Sequence, residues 1–409
     1  MKETFPRRLK GRSYAETRSA VLDLIRSSET ISRVELAQQS ALTEVTISKI
    51  VKELLLEGIV IEAGQGQSTG GKRPKLLKLN TGVLYAVGVS LGIARIVIVL
   101  CGLNGKLIER VDIAGMGNEP PPTVLARVAG AVQQIIQGRG IWRGSIVGIG
   151  VASSGRRRGP LGWGSNPEVA RKWERFDTAA ELEALCDVPV LIENDANSVA
   201  LGTFWSGGAD ASRNFMSVYM DQGIGAGLVL GGTVFRGASD NTGEIGHIVV
   251  EPDGFECWCG SHGCLETVGA PRGIVRRVLT NPGLAALFDS RNAGDEAAIY
   301  QRVLAGLGEG LPEAEALISR SIHRVSTVLL GLANTLDLDR IELAGPGFSA
   351  VGHRYVKELR RLVEQASFTR GVHPVAIDLG GTGLDVAALG AASVVLHSSL
   401  TPHHMSIQI

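Results

Sequence analysis

Apolar residues recur at helical spacing as Val21, Leu22, Leu24 and Ile25, which predicts a first helix over Tyr14–Ser27. Ser32-Arg33-Val34-Glu35 then forms a capping box, a hydroxyl and a carboxylate placed to satisfy each other's orphan backbone donors. A second short helix should start there and end near Ser40. Thr43 can cap a third, whose apolar positions Val45, Ile47, Ile50, Val51, Leu54 and Leu55 are expected to face a core, leaving Glu44, Thr46, Ser48, Lys49 and Lys52 outside. Residues 59–63 and 75–79 read as strands on either side of a glycine-rich basic stretch that ends in Lys72-Arg73-Pro74. From Leu84 the texture becomes β-rich. Strands are predicted over 85–91, 93–101 and 106–113, and a similar order returns at 214–220, 225–230 and 233–235. Two strand-turn-strand units, each followed by helical stretches, suggest two related α/β lobes around a cleft. A long apolar helix over 319–336 is expected to be core between strands, with a dimer contact as the sharper alternative.

The first 80 residues resemble a winged helix-turn-helix, in which the second helix of the pair enters the major groove and the wing lies along backbone or minor groove. Lys49, Lys52, Lys72 and Arg73 would then contact phosphates, and Thr46 and Ser48 would read bases, with Thr43 beside them at the helix start. The bland alternative is a three-helix bundle with a solvated hairpin. Charge supports the first reading, because the net charge of zero hides 14 Lys and Arg against 9 Asp and Glu in residues 1–80, and 27 against 32 in the remainder. A small basic unit joined to a larger acidic body suits a nucleic-acid binder with a separate sensing or catalytic part.

Length and composition narrow the class. A chain of 409 residues with 44% hydrophobic content can fill two or three domain cores. No apolar run reaches the roughly 18 residues of a membrane span, and the basic start is followed by no signal-peptide stretch, so a reducing cytoplasm is expected. Of five cysteines, Cys101 and Cys186 sit in apolar surroundings as small core residues.

The other three lie in Cys257-Trp258-Cys259-Gly260-Ser261-His262-Gly263-Cys264-Leu265-Glu266, downstream of Gly243-Glu244-Ile245-Gly246-His247. Three thiols and one imidazole make a closed tetrahedral zinc site. Gly260 and Gly263 would let the backbone turn tightly enough to aim the thiolates at one ion, and a metal there would fix Glu244 and Glu266 beside it. The spacing departs from paired CxxC motifs, so reduced, unmetallated thiols are the alternative. Either His247 or His262 could be the fourth ligand.

These two motifs, together with Glu193-Asn194-Asp195-Ala196-Asn197, resemble the ROK family of repressors, uncharacterised reading frames and sugar kinases, within the actin-like ATPase fold. The resemblance covers nearly the whole chain. It implies a winged helix-turn-helix over 1–80, a first α/β lobe over 81–200 completed by 386–409, and a second lobe with the zinc site over 201–385. The implied zinc ligands are His247, Cys257, Cys259 and Cys264. The implied sugar pocket is Asn194, Asp195, Glu244, His247 and Glu266, with Ser165 and Asn166 on a further loop ahead of Trp173. Carboxylates, an amide and an imidazole suit rows of hydroxyls that donate and accept.

Kinases of this family keep Asp-x-Gly-Gly-Thr at a strand end to hold Mg²⁺ and ATP phosphates. Here the run is Ser90-Leu91-Gly92-Ile93-Ala94, without the charge or the hydroxyl. The second loop, Asp221-Gln222-Gly223-Ile224-Gly225, adds a negative charge where phosphates would lie, and Pro346 removes a backbone donor from Ala344-Gly345-Pro346-Gly347. Asp195 occupies the general-base position, but phosphoryl transfer depends mainly on positioning and on neutralising phosphate charge. The expectation is therefore a non-catalytic regulator that does not use ATP: a dimer or tetramer that binds operator DNA, answers to a sugar or sugar phosphate, and represses carbohydrate uptake or catabolism genes. The alternative is an active sugar kinase, with or without DNA binding. The tail with His403 and His404 is expected to be a frayed end.

Overall fold

The computed structural model describes residues 13–66, 73–155, 167–173, 176–207, 214–293 and 295–401. Lys72, Ser165, Asn166, His403 and His404 lie outside them. No described helix is long and apolar enough to cross a membrane.

The N-terminal unit is built as its pattern dictates. Helix α1 (Tyr14–Ser27) and α2 (Arg33–Ser40) both open on complete capping boxes, Ser13 with Glu16 and Ser32 with Glu35, and α3 (Glu44–Leu56) is capped by the Thr43 hydroxyl. Strands β1 (Ile31–Ser32), β2 (Val60–Gln65) and β3 (Lys75–Leu79) form a small sheet in the order β1-β3-β2, with the β2–β3 hairpin as the wing. The Tyr14 hydroxyl donates to Glu53 at 2.6 Å and Arg18 pairs with Glu57, locking α1 to α3.

One expectation for α3 fails. Ile47, Ile50, Val51 and Leu54 are fully buried, but Val45 is 80% exposed. At about 100° per residue, Val45 lies some 200° around the helix from Ile47, so it cannot share the buried stripe.

The body holds two five-stranded sheets. The first, in the order β6-β5-β4-β7-β8, comprises β4 (Tyr85–Leu91), β5 (Arg95–Gly102), β6 (Leu107–Ala114), β7 (Ile146–Ser153) and β8 (Val190–Asn194). The second, in the order β11-β10-β9-β12-β13, comprises β9 (Phe215–Met220), β10 (Ile224–Leu230), β11 (Thr233–Val234), β12 (Arg340–Ala344) and β13 (Ala376–Leu379). In each, an antiparallel hairpin runs on into parallel pairings: β4 with β7 in the first, β9 with β12 in the second. The β5 strand starts at Arg95 and not at Ile93, because Gly92 and Ile93 turn the hairpin and their carbonyls accept from the Met116 and Gly117 amides at 3.0 Å.

Two helices join the sheets. Asp195–Ser206 packs on β9 and β10, Val386–Leu400 packs on β4 and β7, and the two helices cross each other. A Cβ at Gly390 would meet the Ser198 carbonyl oxygen at 2.3 Å, so the crossing requires glycine there. The long helix reaches further back than the pattern suggested, over Pro312–Leu336, with Val325 and Leu329 buried in the second lobe's core as expected of a core helix.

The buried core of the N-terminal unit is continuous with that of the body. Val21, Ile25, Leu36, Ile47, Ile50 and Leu77 belong to one buried cluster with Val97, Cys101, Trp205, Ala392, Leu396 and Leu400 of the body. The Arg26 guanidinium sits 4.7 Å from the Trp205 ring and donates to its backbone carbonyl, while pairing with buried Asp23 at 2.6 Å. The Trp205 indole donates in turn to the Leu103 carbonyl at 3.2 Å.

Candidate metal centre and polar cleft

Ligand atoms of His247, Cys257, Cys259 and Cys264 all lie within 4.8 Å of one another, so this group could hold a single metal ion. The Cys259 and Cys264 sulfurs are 3.6 Å apart, and the Cys257 sulfur is 3.5 Å from His247 Nδ1. Backbone geometry makes this approach possible. Gly260 and Gly263 take φ of 92° and 63°, and a Cβ at Gly263 would fall 1.5 Å from the Glu251 carbonyl oxygen. His262 is exposed and lies outside the group, which leaves His247 as the imidazole. Burial above all, helped by the neighbouring Cys259 and Cys264 thiols, pushes the Cys257 thiol up to about 12, so the four side chains need a cation before they can all act as ligands.

His247 faces two ways. Its Nδ1 points to the thiols while Nε2 is 3.9 Å from the Glu244 carboxylate. The Trp258 ring packs edge-on against the imidazole at 4.8 Å, and its indole donates to Glu266 Oε1 at 2.9 Å. Thus the cysteine loop carries the tryptophan that orients a cleft carboxylate. Arg272 stands 3.9 Å from the same oxygen.

Asn194 ends β8 and caps the Asp195–Ser206 helix, its Oδ1 accepting from Ala196 and Asn197 amides at 2.9 and 3.2 Å. Only its amide nitrogen is directed elsewhere, 3.4 Å from the Gly155 carbonyl. Beneath it the buried Glu193 pairs with Arg236 at 2.7 Å and accepts from the Asn194 backbone N–H. Asp195 follows at the helix start, where burial, reinforced by Asp221 and Glu244, raises its carboxyl to about 7. Asn194, Asp195, Glu244, His247 and Glu266 therefore fall along one polar surface that includes Asp221. Asp221 is not left alone as the sequence suggested. Burial raises its carboxyl and the Arg272 guanidinium opposes the shift.

Trp258 and Arg272 were not singled out from sequence. Trp258 could have been, as the aromatic residue between two candidate ligands. Arg272, six residues after Glu266, belongs to no recognisable motif, and only the turn between the Leu265–Gly269 and Pro271–Thr280 helices brings it beside Glu266.

On the N-terminal unit, Ser48, Lys49, Lys52 and Arg73 are exposed. Lys49 lies 4.6 Å from the Tyr14 ring centre. Thr46 is half-buried, its amide donating to the Thr43 hydroxyl at 3.2 Å and its own hydroxyl 2.9 Å from it. The two threonines are thus occupied in capping α3.

A cysteine-and-histidine cluster beside a group of neighbouring carboxylates, on two five-stranded sheets with a small helical head, has the architecture of an actin-like body joined to a winged helix-turn-helix fold. More narrowly, the ROK family profile matches residues 86–398, and the chain belongs to the ROK family. Over 385 residues it is 29% identical to a putative xylose repressor from Caldicellulosiruptor sp. (strain Rt8B.4), covering 93% of this chain and 95% of that one. A glucokinase from Halalkalibacterium halodurans is 26% identical over 316 residues, covering 76% of this chain and 94% of the kinase. Among solved structures, a ROK family transcriptional regulator described as a homolog of the E. coli MLC protein superposes with a TM-score of 0.72 at 20% identity, over 96% of this chain and 98% of that one.

Proposed function

We propose that this chain is a sugar-responsive transcriptional repressor of carbohydrate uptake or catabolism genes, in which residues 1–80 hold operator DNA and the cleft between lobes 81–200 (with 386–409) and 201–385 binds a sugar or sugar phosphate. The observation that carries the proposal is the single buried cluster joining the winged head to a body whose cleft is lined by hydrogen-bonding side chains. The repressor relative aligns over almost the whole chain, head included, whereas the glucokinase leaves about a quarter of it unmatched.

The ion suited to three thiolates and an imidazole is zinc. Bonds of about 2.3 Å to sulfur and 2.0 Å to nitrogen put tetrahedral ligands roughly 3.5–3.8 Å apart; two of the separations here are 3.5 and 3.6 Å, and all four ligand atoms lie within 4.8 Å of one another. With all four positions taken by protein, zinc would serve as a structural cross-link of the loop. His247 Nε2 and Glu244 would bind adjacent sugar hydroxyls, and Trp258 would hold Glu266 for another. Asn194, with its carbonyl committed to the helix cap, would donate through its amide, and Asp195 would accept. In the head, Ser48, Lys49, Lys52 and Arg73 would contact DNA, with paired heads in a dimer or tetramer spanning half-sites.

One observation favours a kinase instead: Asp195, raised to about 7, is poised as a general base. Against it, the Gly92 and Ile93 carbonyls are already tied to the 116–117 backbone, Ile93 packs onto the first lobe's core, and Ser90 and Ala94 carry no charge. A coupled assay with ATP, Mg²⁺ and a sugar panel is expected to show no turnover; sugar-dependent turnover would overturn the sensor reading. Conversely, thermal shift against free and phosphorylated sugars should reveal a ligand that also weakens operator binding. Glu244→Ala should abolish that weakening while leaving ligand-free operator affinity nearly intact.

A further inference from the structure

The exposed face of α3 is not uniformly polar. Val45, Lys49, Lys52 and Leu56 fall within about 40° of one line along the helix, opposite the buried Ile47, Ile50, Val51 and Leu54. Val45 is 80% and Leu56 78% exposed. The two valine methyl groups project from the first turn, directly after the Thr43 cap, while Leu56 lies in the last turn, some 16 Å further along the axis. In a helix-turn-helix the first turn of the second helix is the part that meets base edges. The Thr43 and Thr46 hydroxyls face each other across the cap, and the Lys49 ammonium lies 4.6 Å from the centre of the Tyr14 ring. Folding gains little from a β-branched residue left in water within a helix.

We infer that Val45 is a specificity-determining residue that packs against the 5-methyl group of a thymine in the major groove. Thymine is the one base that presents an apolar group there, so an apolar side chain at the reading turn selects it by burying methyl against methyl. Ser48, one turn on, accompanies it with a hydroxyl that pairs with either donors or acceptors, and Lys52 keeps the helix against phosphate. The inference rests on the DNA-binding reading above and narrows it to one contact.

The test uses the full-length chain and a duplex it selects from a randomised pool. Thymines of that duplex are replaced one at a time by deoxyuridine, which removes only the methyl group. At one thymine per half-site the wild-type chain should lose about fourfold in affinity, the ~0.8 kcal/mol of one buried methyl. Val45→Ala should bind the thymine duplex more weakly than wild type and respond to that same replacement by less than about twofold. Lys52→Ala, a backbone contact in this picture, should weaken both duplexes alike. Circular dichroism of Val45→Ala should match wild type, since the side chain is 80% exposed. If wild type and Val45→Ala respond equally to every deoxyuridine, or no replacement matters, the Val45 assignment is wrong although DNA is bound. If no duplex is selected at all, the DNA-binding reading itself falls.

Discussion

The seam between head and body and the cleft between lobes are built from opposite materials. The seam is apolar: Ile25, Leu36 and Leu77 share one buried cluster with Trp205 and Leu396, and the buried ion pair of Asp23 with Arg26 lies against the Trp205 ring. The cleft gathers the carboxylates of Asp195, Asp221, Glu244 and Glu266 with Arg272, and burial raises those of Asp195 and Asp221. A tightly packed interior transmits displacement because it cannot deform without losing contacts. A polar cleft with repelling carboxylates is compliant, and its shape follows whatever donors occupy it. One helix, Asp195–Ser206, begins in the compliant region and ends in the stiff one, with Asp195 at its first residue and Trp205 next to its last. A single helix therefore runs from the polar residues at Asp195 to the buried seam with the head.

The comparison can be broken most severely at the cysteine loop. Cys264→Ser, or chelation of the wild type, should release the bound ion and lower the second lobe's stability by several kcal/mol, because metal-binding energy at such a site is folding energy. Metal content and the thermal midpoint report both, and an unchanged midpoint after complete ion loss would separate the cluster from the fold. At the seam, Trp205→Ala should cost about 3–5 kcal/mol, as for a large core aromatic. It should also speed amide exchange in α1 while sugar binding persists, and exchange confined to the body would show that the head holds itself together.

A smaller effect sharpens the cleft side. Because Asp195 is raised to about 7, the folded state holds a proton that the unfolded chain releases near its usual value of about 4. The stability this proton confers is present below pH 4 and is lost as pH rises through 7. Asp195→Asn should accordingly flatten the pH dependence between 4 and 8 and gain most at the upper end, by up to about 4 kcal/mol if the whole shift is realised. Thermal midpoints across that range decide the matter, and parallel curves for variant and wild type would place the titration on another group.

Much of this was legible because the controlling interactions are local. The bounds of α1 and of β4 follow from apolar spacing and caps, and the close spacing of Cys257, Cys259 and Cys264 with two turn glycines brings the thiols together wherever the loop is docked. What stayed hidden depends on partners distant in sequence. Arg272 acts on Asp221, about 50 residues earlier, and Leu396 and Leu400 join the buried cluster of a head that lies more than about 300 residues earlier. Val45 is an intermediate case. Its outward direction was already implied by its angle to Ile47, but a list of apolar residues without angles placed it inside.

What the residue order determined by itself was chemistry and short-range geometry: which groups could bind metal or sugar, which hydroxyls cap which helices, and where hairpins turn. Spacing along the chain suffices for these because neighbouring residues are held close by the backbone itself. Which carboxylates come near one another, and that the head's core runs on into the body's, was decided only by tertiary packing, since burial and charge proximity depend on distances in space that residue number does not encode.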